Sequence, residues 1–207
     1  MILLGDISTV KGEKNVRILE LFQKKMEPDN VEHSACFTGH RAIPPEEESK
    51  IQLWLDKVVE QMYGRHGVRT FWAGGALGFD TLAAEAVLEF RRTHRDVKLF
   101  LALPCADQAR YWREEDKRRY EALKVRADGV RVLQQRYDRQ CMNRRNRYLV
   151  DHGTWCVAYL TAPGGGTAYT VAWAREQGKS VWLYPQTDAD CSDTCGGEKA
   201  LFSSNPP

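Results

Sequence analysis

"VRTFWAGGALGFDTLAAEAVLEF", Val68 to Phe90, decides the fold. Its first part is a near-continuous apolar run that ends in glycines. Its last part, from Thr81, reads as a helix. An unbroken apolar run fits a strand buried on both faces better than one with a wet side. A buried strand that turns through glycine into a helix is half of a β-α-β unit.

The same unit recurs on either side. "SACFTG" (Ser34 to Gly39) precedes a helix from Glu46 to Tyr63 with Ile51, Leu55, Val58, Val59 and Met62 on its inner face. "VKLFLALPC" leads into a long charged helix, Asp107 to Asp128. "GVRVLQ" leads into a helix from Cys141 to His152. "TWCVAYLT" leads into a helix from Thr167 to Gly178, and "SVWLYP" closes the series. Strands alternating with helices, joined by right-handed crossovers, predict an α/β Rossmann-like doubly wound sandwich. Its sheet has about six mostly parallel strands, with helices on both faces.

Three segments follow: an N-terminal helical extension over 1–33, the Rossmann-like domain over 34–187, and a C-terminal tail over 188–207. In the extension, Asn15 to Met26 is amphipathic through Val16, Leu19 and Phe22. The tail is rich in Ser, Asp, Gly and Pro. A formal charge of +2 names no partner. No apolar run reaches the length of a membrane span, so a soluble, cytoplasmic protein is expected, with no membrane partner. Six cysteines in a chain able to bury a core read as reduced thiols. Cys191 and Cys195 lack a second ligand pair nearby, so they read as tail thiols rather than a zinc site. No metal or cofactor is expected.

In an open α/β sheet, ligands bind beyond the carboxyl ends of the strands. Thr38, Gly39, His40 and Arg41 follow the first strand, and Gly74, Gly75, Gly78 and Asp80 follow the second. Gly164, Gly165, Gly166 and Thr167 follow the fifth. Glycine lets backbone approach a ligand, and the helix that follows offers unpaired N–H groups. Together they suit phosphate or carboxylate. Tight strand-to-helix turns are the plainer reading. Neither loop is a standard dinucleotide or P-loop signature.

Arg145 lies on a semi-buried helix face suited to an anion clamp, beside Asn146, while Arg136, Arg139 and Arg144 read as a solvated basic face. Trp112 either stacks a base at the pocket mouth or packs in the core. Asp80 either caps the next helix or accepts ribose hydroxyls. His40 reads as a hydrogen-bonding loop residue. Glu85 lies within the second helix, at the core edge.

With these residues in place, the chain resembles the YpsA-like family of the SLOG superfamily, which is related to LOG phosphoribohydrolases and DprA domains. The resemblance rests on "CFTGHR", "GGALGFDTLAAE", "LALPCADQARYW", "CMNRRNRYLVD" and "GGTAYTVAWA", in order from Ser34 to Pro185. It implies a nucleotide-type pocket that takes an ADP-ribose-like or cyclic-nucleotide-type signal. Gly78 and Asp80 would matter there, and a homo-oligomer is expected. It also points to signal sensing or sequestration, in settings such as cell division, stress or phage defence. LOG enzymes carry an arginine where Arg145 stands and a glutamate where Thr170 stands. By that comparison the anion-binding half of a hydrolase is kept and the hydrolytic half is lost. Asp80, Glu85 and Arg145 are the catalytic candidates if an N-glycosidase remains. A DprA-like single-strand binder using Arg144 and Arg147 is the weaker alternative, and a nucleic-acid partner is disfavoured.

Overall fold

The computed structural model describes residues 31–184. The predicted amphipathic helix at Asn15–Met26, the tail and the Cys191/Cys195 pair lie outside the described residues. The strands are β1 (Ser34–Gly39), β2 (Thr70–Ala73), β3 (Lys98–Leu103), β4 (Gly129–Val132), β5 (Trp155–Tyr159) and β6 (Ser180–Tyr184). The helices are α1 (Pro45–His66), α2 (Phe79–Phe90), α3 (Glu114–Arg126), α4 (Cys141–Asp151) and α5 (Gly165–Glu176).

All six strands are parallel, in the order β4-β3-β2-β1-β5-β6. From β1 the chain steps outward through β2 and β3 to β4, then crosses back to β5 and β6. Right-handed crossovers place helices made in opposite directions of travel on opposite faces. The core clusters follow that rule. Phe37, Phe71, Leu99 and Val157 pack with the apolar side chains of α1 and α2 on one face. Cys36, Trp72, Phe100 and Cys156 pack with Leu149, Val150 and Ala174 of α4 and α5 on the other. Successive strand residues therefore serve opposite layers, and both layers are dry. This is the doubly wound Rossmann-like fold that the apolar runs imply.

The inner face read for α1 is buried at Ile51, Leu55, Val58, Val59 and Met62. Glu46, Glu47 and Glu48 in its first turn suit the positive end of the helix. Gly67 ends it in the left-handed region (φ 66°), its N–H donating to the Met62 carbonyl.

Two boundaries differ from the sequence reading. The charged helix begins at Glu114, not Asp107, and residues 106–112 form turns. Tertiary bonds hold those turns: Ala106 N–H donates to the Gln134 carbonyl at 3.0 Å, and Gln108 Nε2 donates to the Gly75 carbonyl at 2.9 Å. Glu114, Glu115 and Asp116 mark the true helix start. Helix α2 starts at Phe79, two residues before Thr81, so Asp80 lies inside its first turn and does not cap it.

Candidate functional site

The order of the strands reverses between β1 and β5, and a crevice opens beyond their carboxyl ends. A cavity of about 400 Å³ lies there. Its walls come from the end of β1 (Phe37 to Arg41), the start of α2 (Ala76 and Asp80), one face of α4, and Gly166 and Thr167 of α5. Met142, Arg145, Asn146 and Leu149 recur at intervals of three and four along α4, so one helical stripe reaches the cavity. Asn143 also lines it.

At the floor, Arg145 Nη1 lies 3.2 Å from Asp80 Oδ2, with both side chains buried. The Ala76 N–H approaches the same oxygen at 3.4 Å. Both bonds use Oδ2, and the Gly74 N–H also donates to this carboxylate. Burial raises the Asp80 carboxyl above its ordinary range; Arg145, the Ala76 N–H and Arg41 pull it back. Burial also lowers Arg145, against the attraction of Asp80. A guanidinium still keeps its proton, so the carboxylate faces a fixed counter-charge.

Asn146 links this pair to the glycine loop of α5. Its Oδ1 accepts from Arg145 Nε at 2.9 Å, and its Nδ2 reaches the Gly166 carbonyl at 3.4 Å. Thr170 Oγ1 donates to that same carbonyl at 2.7 Å. Thr170 is 1% exposed, so its hydroxyl serves the helix backbone and does not line the cavity.

The two glycine loops do different work. A Cβ on Gly74 would lie 1.5 Å from Arg145 Nη1 and 2.5 Å from Asp80 Oδ2. Gly78 has φ 73°, and a Cβ there would lie 2.2 Å from the Arg41 carbonyl oxygen. Gly39 abuts the Phe79 ring in the same interlock, and a Cβ there would lie 2.4 Å from Phe79 Cγ. Gly75 packs towards Leu103 and Tyr120. So Gly74, Gly75 and Gly78 create room for neighbours, and none of them lines the cavity. Among the described residues, chain neighbours aside, no atom lies within 4 Å of a Cβ position at Gly164 or Gly165. This loop is exposed and opens the twelve-residue helix α5, whose first N–H groups lack intrahelical partners. Gly166 and Thr167 carry it into the cavity wall; Gly164 and Gly165 do not line the cavity.

Thr38, Gly39 and Arg41 line the cavity as the sequence implies. Arg41 is exposed and donates to Met142 Sδ at 3.6 Å. Among the described residues it ion-pairs with no carboxylate. His40 Nε2 accepts the Thr161 N–H at 3.0 Å, which ties the β1 loop to the β5 loop. That bond sets the neutral tautomer with hydrogen on Nδ1.

Two candidates stand elsewhere. Trp112 is half-buried edge-on to Tyr120, with ring centroids 5.3 Å apart, and does not line the cavity. Glu85 is held in a fork by Arg119 Nε and Nη2 on the α2–α3 side. Its Oε1 is 2.6 Å from Nε, and it too is absent from the cavity wall. The sequence reading missed Met142, Leu149 and Asn143 as lining residues. Helical spacing from Arg145 was the signal for the first two.

The chain is similar to several known proteins. The uncharacterized SPbeta prophage-derived protein YoqJ of Bacillus subtilis strain 168 is 25% identical over 151 residues, covering 66% of this chain and 88% of YoqJ. A UPF0398 protein of Halalkalibacterium halodurans is 33% identical over 114 residues, covering 54% of this chain and only 60% of that protein. Among solved structures, DNA processing protein A (DprA) from Streptococcus pneumoniae superposes with a TM-score of 0.55 at 15% identity. That match covers 76% of this chain and 52% of DprA. The DprA of Helicobacter pylori, described for its single-stranded DNA binding mode, gives 0.54 at 14%, covering 78% and 71%. These two structures support the fold alone. Among the described residues, no helix is long and apolar enough to cross a membrane. The sequence pattern of the YpsA family, described as the YspA SLOG family, matches residues 38–183, and this chain belongs to that family.

Proposed function

We propose that this protein binds a nucleotide-derived small molecule, of the ADP-ribose or cyclic-nucleotide type, as a sensor or sequestering protein and without hydrolysing it. One observation carries the reading. At the switch point the first turn of helix α5 puts Gly166 and Thr167 in the wall of a cavity that Arg41 also lines. Phosphate is the group that such a helix end and an uncommitted arginine hold best. The Asp80 carboxylate suits a ribose hydroxyl, and Phe37, Met142 and Leu149 offer apolar wall to a base. The volume of about 400 Å³ matches a small ligand.

Binding is favoured over cleavage because cleavage of a glycosidic bond ordinarily uses two carboxylates. Among the described residues Asp80 is the only acid in the cavity wall, and Arg145 already engages it. Glu85 is bound by Arg119 elsewhere, and Thr170 is spent on Gly166.

Calorimetry against nucleoside phosphates, ADP-ribose isomers and cyclic dinucleotides tests the reading. At least one should bind, about tenfold or more weaker in Arg41→Ala, as expected for a lost charge-assisted contact. The bound molecule should be recovered unaltered. No binding across the panel overturns the proposal, and steady release of free base overturns its non-hydrolytic part.

A further inference from the structure

Away from the cavity, the carboxyl edge of the sheet continues over β3 and β4. Two segments emerge there, 106–113 after β3 and 134–140 after β4. They are fastened together. The Ala106 N–H donates to the Gln134 carbonyl at 3.0 Å, and the Tyr137 N–H donates to Asp107 Oδ1 at 3.0 Å. The result is a joined platform, not two free loops.

On this platform Tyr111 is 87% exposed and Tyr137 is 59% exposed. Rings this exposed add little to the core. Around them stand Arg110, Arg136 and Arg139, all exposed. Among the described residues none of the three pairs with a carboxylate. The platform's acids are committed. Asp107 accepts the Tyr137 N–H; Asp138 holds Arg144 and accepts the Gln140 N–H at 2.8 Å. Arg110 lies 5.3 Å from the Tyr111 ring centre, so ring and charge share one spot. The exposed ring is thus at Tyr111, next to the half-buried Trp112.

We propose that this platform binds single-stranded nucleic acid: bases stack on Tyr111 and Tyr137, and Arg110, Arg136 and Arg139 neutralise phosphates. Exposed rings interleaved with unpaired arginines are the sequence-tolerant way to hold a single strand. An acidic polypeptide would satisfy the arginines but leave the ring faces without a flat partner. The duplex grooves read by helices and strands have no counterpart in two turns bearing tyrosines. Arg144 and Arg147, the arginines first suspected of such a role, are engaged with Asp138 and Tyr169.

The test is fluorescence anisotropy with the full chain and labelled oligo-dT and oligo-rU of about eight nucleotides, within the usual single-strand site size. Binding is expected for at least one, falling about twentyfold from about 50 to about 200 mM salt if three phosphates are contacted. Tyr111→Ala/Tyr137→Ala should weaken it about tenfold or more with an unchanged urea midpoint, because both rings are exposed. Arg136→Ala/Arg139→Ala should flatten the salt dependence. Absence of binding at low salt overturns the proposal. So does binding that survives the tyrosine double variant, or equally tight binding of poly-glutamate, which would mark an acidic-polypeptide surface. Small-ligand binding in the cavity is read separately, so either result leaves that reading to its own experiment.

Discussion

Gly74 is the space through which Arg145 reaches Asp80. A Cβ at Gly74 would sit 1.5 Å from the Arg145 nitrogen that contacts the carboxylate. A glycine loop that looks made for phosphate is instead fitted around a buried ion pair.

Gly74→Ala should therefore destabilise the protein by about 1–3 kcal/mol, the usual cost of overpacking. Gly164→Ala, at a φ of −130° with open space around it, should change stability by less than about 0.5 kcal/mol. Urea denaturation of the two variants checks the contrast. Equal losses would show that Gly74 is not holding room for the pair.

Arg145→Met removes one partner of a buried pair and should cost about 3–5 kcal/mol by the same measurement. Asp80 adds a pH dependence of known sign. Its folded-state value is raised above the ordinary 3.8. The folded protein thus holds that proton more tightly than the unfolded chain does. The associated stability is present below about pH 4 and is lost as pH rises through the folded value. Wild type should lose stability relative to Asp80→Asn as pH rises above about 4 and through the raised folded value. A difference that is flat, or of opposite slope, would contradict the burial of this carboxylate.

Glu85→Gln should leave small-ligand binding unchanged within about twofold, since the side chain is turned to Arg119 and away from the cavity. Its stability cost should stay near 1 kcal/mol or less, as for other partly exposed pairs. Loss of ligand binding in this variant would return Glu85 to the site.

The buried thiols should be inert. The hydrogen bond with Cys156, and then burial, raise Cys36 well above the ordinary thiol range, and burial raises Cys105 to about 12. The thiolate is the reactive form. In the native protein at pH 8, peptide mapping after iodoacetamide should find Cys36 and Cys105 unmodified, with both labelled after unfolding. Rapid native labelling of either would show that the sheet layer around it opens.

The sequence by itself determined the layered architecture. Buried parallel strands must be apolar along their whole length, and helices that cover them must show one apolar stripe. Both are local patterns, visible at Phe71–Ala73 and at Ile51–Met62. It also put Thr38, Arg41, Asp80, Arg145, Asn146 and Thr167 at the edge where the cavity lies. Only the tertiary structure decided which glycines make room and which face a ligand. Gly74 and Gly78 are read by what presses on them, Arg145 from α4 and Arg41 from the β1 loop, both distant along the chain. The same holds for Trp112 and Glu85, whose partners Tyr120 and Arg119 come from α3. Periodicity reports whether a residue is inside or outside; which neighbour it meets depends on strand order and loop approach, and these arise only when the β1–β5 reversal brings the strand ends together.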